Sequence, residues 1–112
     1  MLKSVDISKL HPIQDTLNLE QIAYFNSGCI KEDAIPEVWN IDKKNYLVDG
    51  HHQIFANAIN GNKNIYVEYR TKKNVPPPVY ESLKGEILSR AKKAEDSGVY
   101  SIKDLHLCGF SC

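Results

Sequence analysis

At 112 residues the chain has the length of one domain, and its 42% apolar and 25% charged residues mark it as globular, not disordered. Lysine plus arginine equals aspartate plus glutamate at 14 each, so there is none of the basic excess with which a domain grips duplex DNA unaided. No stretch approaches the roughly 18 uninterrupted apolar residues of a membrane span, and residues 1–6 lack the layout of a secretory signal, so a cytoplasmic location with no membrane partner is expected.

Along the chain, residues 2–7 alternate polar and apolar side chains, with Val5 and Ile7 on one face, which predicts a first strand. Residues 8–12, ending in His11-Pro12, read as a turn. Asn18 caps a short helix over residues 19–26, with Gln21 as its reciprocal partner and Ser27-Gly28 as the stop. Val38, Trp39 and Ile41 predict a strand over 37–41, followed by a polar turn at 42–45. Tyr46-Leu47-Val48 is a short apolar strand ended by Asp49-Gly50. Ile54, Phe55, Ala58 and Ile59 follow helical spacing, and Gly61 stands where a left-handed helix stop is wanted. Residues 64–70 alternate again, so 46–70 reads as a strand–helix–strand unit, long enough for a crossover between parallel strands.

Pro76-Pro77-Pro78 reads as a stiff extended spacer. Beyond it, Tyr80, Leu83, Ile87, Leu88 and Ala91 form the apolar stripe of an amphipathic helix ending near Gly98. Ser101 and Asp104 suit the cap of one more turn, and residues 108–112 read as a tail. Cys29, Cys108 and Cys112 are odd in number and share no repeated spacing, which argues against a disulfide framework. The expected fold class is α/β with a mixed sheet (α+β), with one unit over 1–75 and a helical extension over 76–112 packed on it.

The stretch that carries chemistry is Asp49-Gly50-His51-His52-Gln53, between a strand and a helix. The opening N–H groups of a helix have no partner within it, and the helix dipole makes that end partly positive, so a phosphate resting there accepts several backbone hydrogen bonds. Gly50 permits a tight turn and close approach of an anion. His51 and His52 sit in the first turn, where ring N–H groups reach toward phosphate oxygens, and a bound phosphate would raise their pKa. Asp49 is able to hold a magnesium ion, orient a histidine or cap the helix. The plainer alternative stands beside this: Asp-Gly is a common turn dipeptide, and adjacent histidines also occur as ordinary residues at a helix start. They point in different directions and lack the i, i+4 spacing of a helical zinc pair.

The run from Tyr46 to Ala56, followed by Asn60-Gly61 and the strand Ile65-Tyr66-Val67, resembles the ParB/sulfiredoxin superfamily, whose small ParB-like members carry Asp-Gly-His-His-Arg between an apolar strand and a helix. Val5-Asp6-Ile7-Ser8-Lys9-Leu10-His11-Pro12 is similar to that family's opening, and Ile35-Pro36 to its middle, so the likeness covers residues 1–70. In this family the turn binds nucleotide phosphates: partition proteins use CTP, sulfiredoxins ATP, and a free-serine kinase ADP. The resemblance therefore implies a nucleotide-phosphate site at Gly50, His51, His52 and Gln53, with a nucleotide (ATP, ADP or CTP) and Mg2+ at Asp49 as cofactors.

Three departures shape that expectation. His51 stands where sulfiredoxins have their cysteine nucleophile, which rules out sulfiredoxin repair chemistry. Gln53 replaces the family's arginine, which removes a charge-assisted phosphate contact of ~1.5–3 kcal/mol, roughly tenfold or more in affinity. Asp15, about one residue out of register, is the candidate for the kinase's glutamate base. Two readings follow. One is a kinase-like phosphotransferase or NTP hydrolase with Asp49, His52 and Asp15 as catalytic residues. The other is a non-catalytic ParB-like module whose nucleotide or anion site regulates association with a protein partner, a second copy or DNA. The segment after residue 78 is too short for the helix-turn-helix domain of partition proteins, and no carboxylate cluster suits a two-metal nuclease.

Overall fold

The computed structural model describes residues 1–18 and 35–108. The helix expected over 19–26, Cys29 and the tail beyond 108 lie outside them. Seven strands are described: β1 (Leu2–Asp6), β2 (Leu10–Pro12), β3 (Thr16–Asn18), β4 (Glu37–Ile41), β5 (Lys44–Asp49), β6 (Asn64–Arg70) and β7 (His106–Cys108). Two α-helices lie among the described residues, α1 (His51–Ile59) and α2 (Pro77–Asp96), with 3-10 turns at Ile7–Lys9 and Ile102–Asp104. Five strands form one mixed sheet in the order β1-β6-β4-β5-β2, and β3 pairs with β7 in a separate parallel ribbon. The class is the mixed α+β expected.

The sheet order departs from a simple parallel crossover, for a local reason. Asp42 and Lys43 both take positive φ, 51° and 69°, the backbone of a tight two-residue hairpin turn. That turn makes β4 and β5 antiparallel neighbours. β6 then pairs parallel to β4, not β5. The strands flanking α1 are therefore antiparallel and separated, and the parallel pair is β4 and β6, with β5 and α1 both in the crossover. β1 completes one edge, antiparallel to β6. Residues 10–12, expected as a turn, form the other edge strand, parallel to β5. An edge strand tolerates Pro12 because one side of it donates no ladder hydrogen bonds.

Alternation on β4 and β5 divides the core between the two faces of the sheet. Val38 and Leu47, both fully buried, pack with Val5, Ile7, Ile54, Val67 and Ile102 on the α1 side. Trp39, Ile41 and Tyr46 pack with Tyr80, Ile87 and Ala91 of α2 on the other. The Trp39 and Tyr80 rings stack with centroids 6.0 Å apart. The buried positions of α2 are Tyr80, Ile87, Ala91 and Ala94, a narrower stripe than the sequence implies. Leu83 belongs to the expected stripe yet is 37% exposed.

The triple proline also resolves differently from a spacer. Pro76 caps α2, and Pro77 and Pro78 begin it, where a missing N–H is harmless and a fixed φ is already helical. The helix stops at Ser97, and Gly98 takes φ +86° just beyond. Ser101 and Asp104 form a reciprocal capping box on the last 3-10 turn. Among the described residues no helix is long and apolar enough to cross a membrane.

Candidate functional site

β5 delivers the chain to Gly50, whose φ of +93° turns it directly into α1. A side chain here would be strained at that φ, and a Cβ would fall 2.9 Å from the Pro36 Cβ, so glycine is required twice over. The first intrahelical bond runs from the Ile54 N–H to the Gly50 carbonyl at 2.9 Å. The amides of residues 51–53 precede that bond, and Gly50 brings no side chain to cap them. Residues 49–53, with Gln14 and Val48, line a small hollow of about 180 Å3.

The two histidines differ. His51 is buried, with 3% exposure. Its Nε2 accepts a hydrogen bond from the Ile13 backbone N–H at 3.1 Å. An accepting Nε2 on a neutral ring leaves the proton on Nδ1. Burial, reinforced by the neighbouring His52, pushes the His51 pKa down to about 3. Thus His51 is not the cationic phosphate contact that its place in the sequence implies. It is a neutral ring that ties the start of α1 to the residue after β2. Any contact it makes with an anion is through Nδ1–H. His52 is half-buried on the lining of the hollow, and burial lowers its pKa as well.

The remaining expected residues are distributed unevenly. Asp49 ends β5, is exposed and lines the hollow, as does half-buried Gln53. Asp15 is not on the lining. Its carboxylate accepts from the Ser97 hydroxyl at 3.2 Å, and its carbonyl from the His106 N–H at 2.8 Å, so it faces the segment after α2. Gln14, one residue earlier, takes the place at the hollow. The register difference of about one residue was the signal for it. Pro36, which packs on Gly50, is visible in the sequence only as the residue before a strand. Among the described residues no group of three or more His, Cys, Asp or Glu is placed to hold a metal. Asp49 brings one carboxylate to the lining of the hollow, the ligand type Mg2+ takes alongside phosphate oxygens and water.

Beside the hollow runs a polar chain on the α2 face. Arg70 Nε donates to Glu37 Oε1 at 3.2 Å, and Trp39 Nε1 donates to Glu37 Oε2 at 3.3 Å. Glu37 lies opposite Asp49 in the β4–β5 ladder. Its charge is turned to Arg70 and Trp39, which leaves the two carboxylates on separate duties.

No family model matches this chain, and no curated protein does. Among solved structures it is similar to the crystal structure of protein Atu1540 from Agrobacterium tumefaciens, with a TM-score of 0.65 at 16% sequence identity. The match covers 95% of this chain and 61% of that one. The chain therefore spans about three-fifths of the length of Atu1540, and what the two share is the fold.

Proposed function

We propose that this chain binds the phosphate of a nucleotide at the amino end of α1, in the manner of the ParB/sulfiredoxin superfamily that its residues 1–70 resemble. The observation that carries the reading is the hollow at residues 49–53, set against a helix start with no side-chain cap. At about 180 Å3 it is smaller than the roughly 300–1,000 Å3 of sites that enclose a whole ligand. It suits a phosphate group, with the nucleoside lying outside the mouth. The amides of residues 51–53 donate to the phosphate, helped by Gln14, His52 and Gln53. Mg2+ bound to phosphate oxygens would be held by Asp49 and would neutralise charge there.

A second reading, a phosphotransferase or NTP hydrolase, is favoured by Asp49 and His52 sharing the same small lining. In it the positioned phosphate and the neutral His52 imidazole provide orientation and proton transfer. Asp15 serves as base only if it leaves Ser97. Without turnover, the same site regulates association with a protein partner, a second copy or DNA. Either role suits a cytoplasmic protein.

Titration calorimetry with ATP, ADP and CTP, each with Mg2+, tests the proposal. At least one nucleotide binds, inorganic phosphate competes with it, and His52→Ala weakens it by roughly tenfold. Chromatography of the same mixtures separates the two roles by the presence or absence of product. Failure of all three nucleotides and of phosphate to bind refutes the reading.

A further inference from the structure

A second and larger cavity opens at the far end of α1, about 690 Å3 in volume. That is within the roughly 300–1,000 Å3 of small-molecule sites. Three segments distant in sequence wall it: residues 6–8, the stretch from Ala58 to Asn64, and residues 101–103. It shares no lining residue with the hollow at Gly50.

The walls are fixed by internal bonds. The Ile7 N–H donates to the Lys63 carbonyl at 3.0 Å, joining the first two segments, and the Ser101–Asp104 capping box holds the third. Buried Ile7 and Ile102, with half-buried Ala58, form an apolar floor. The rim is polar, and its lining brings two ammonium groups, Lys63 and Lys103, against one carboxylate, Asp6. Asp6 is engaged, accepting from the Ser8 N–H at 2.9 Å and the Ser8 hydroxyl at 2.7 Å. Asp104, just outside, accepts from the Tyr100 and Ser101 N–H groups and the Ser101 hydroxyl. Lys63 and Lys103 stand on different walls; neither is within ion-pair distance of a carboxylate among the described residues, although the charge of Lys63 acts on Asp6 across the cavity's edge.

We infer that this cavity binds a small organic anion with an apolar body, its carboxylate or phosphate held by Lys63 and Lys103 and its body on Ile7, Ala58 and Ile102. An inorganic ion would draw on the ammonium groups alone, and a neutral apolar molecule on the apolar part of the lining alone. A molecule with both parts draws on both, with its anionic end placed at the two lysines and away from Asp6. The site is independent of the nucleotide reading, because it stands on other residues.

Proton–nitrogen NMR spectra of the labelled chain, titrated with benzoate, phenyl phosphate and neutral benzamide, test it. At least one anion shifts the amides of Ser8, Lys63 and Ile102, and benzoate leaves those of residues 50–53 in place. Benzamide binds more weakly than that anion. Joint Lys63→Gln and Lys103→Gln substitution weakens the anion by roughly tenfold with the melting temperature unchanged. Comparing benzoate with phenyl phosphate tells carboxylate from phosphate recognition. The inference is overturned if neither anion shifts these amides, if benzamide binds as tightly, or if the double variant binds as well as the native chain.

Discussion

Replacement of His51 by glutamine should flatten the acid side of the stability profile, by an amount that follows from the burial of the ring. In the folded chain His51 stays neutral down to about pH 3, whereas an exposed histidine protonates near pH 6.5. Between those values the unfolded chain holds one more proton than the folded one, so stability rises with pH across the window and is lost as pH falls through it. The limiting slope is about 1.4 kcal/mol per pH unit. Integrated from pH 7 down to pH 5, the loss due to His51 is about 2 kcal/mol, and it depends only on the unfolded pKa because the folded ring stays neutral throughout. Glutamine does not titrate, and its side-chain oxygen still accepts from the Ile13 N–H. Urea unfolding at the two pH values, followed by the fluorescence of Trp39, measures the difference; Trp39 is the chain's single tryptophan. The native chain should lose about 2 kcal/mol more than His51→Gln over that interval. Equal losses in both proteins would refute the buried neutral imidazole. His51→Phe provides the control for the hydrogen bond: it leaves the Ile13 N–H buried without an acceptor, at a cost of about 1–3 kcal/mol at pH 7.

Two further perturbations probe the frame. Gly50→Ala meets both an unfavourable φ and Pro36, whereas Gly61→Ala at φ +87° meets open space; the first should cost about 1–2 kcal/mol more than the second in chemical denaturation. Tyr80→Ala removes the ring that stacks on Trp39 beneath α2, and should cost about 3–5 kcal/mol with a red shift of Trp39 emission in the folded state; an unchanged emission maximum would show that α2 does not shield the indole.

Much of the frame is legible in the residues because it is built from periods long enough to read. Five to seven residues of alternation mark β4 and β6, and the glycines at 50, 61 and 98 stand where the backbone turns to positive φ. β2, β3 and β7 are three residues each, too short for a period of two to show. They exist because a parallel partner far along the chain completes their hydrogen bonds, Leu10 with Asn45 and Thr16 with His106. Leu83 shows the reverse error. Its spacing fits the stripe of α2, but the helix covers only part of the sheet face, and a residue at the border of the stripe remains in water.

The candidate turn was legible as a turn, while the roles of its residues were not. Whether a histidine at a helix start faces solvent or core depends on what lies behind it. Here that is the Ile13 N–H, a backbone donor left by the end of β2, and no local pattern announces it. The same holds for Asp15 and Gln14, neighbours whose positions at the hollow are decided by where β2 releases the chain.

With His51 kept neutral by burial, the His52 pKa lowered by its partial burial and Asp49 bringing negative charge, the proposed attraction for a phosphate rests on the helix start, the His52 ring N–H and the amide side chains. Gln53 is the position at which this can be tested in the direction of gain. Gln53→Arg places a guanidinium on the lining of the hollow and adds a charge-assisted, bidentate contact of ~1.5–3 kcal/mol, so nucleotide affinity should rise roughly tenfold or more. The same charge opposes the positive end of α1, so the unliganded variant should be less stable by about 0.3–1 kcal/mol. Calorimetric titration and unfolding of the free protein should therefore move in opposite directions. A variant that gains stability without ligand, or that binds nucleotide no better than the native chain, would show that residue 53 does not face the phosphate. A gain in affinity that vanishes in high salt while the native affinity changes less would mark the new contact as the electrostatic one intended.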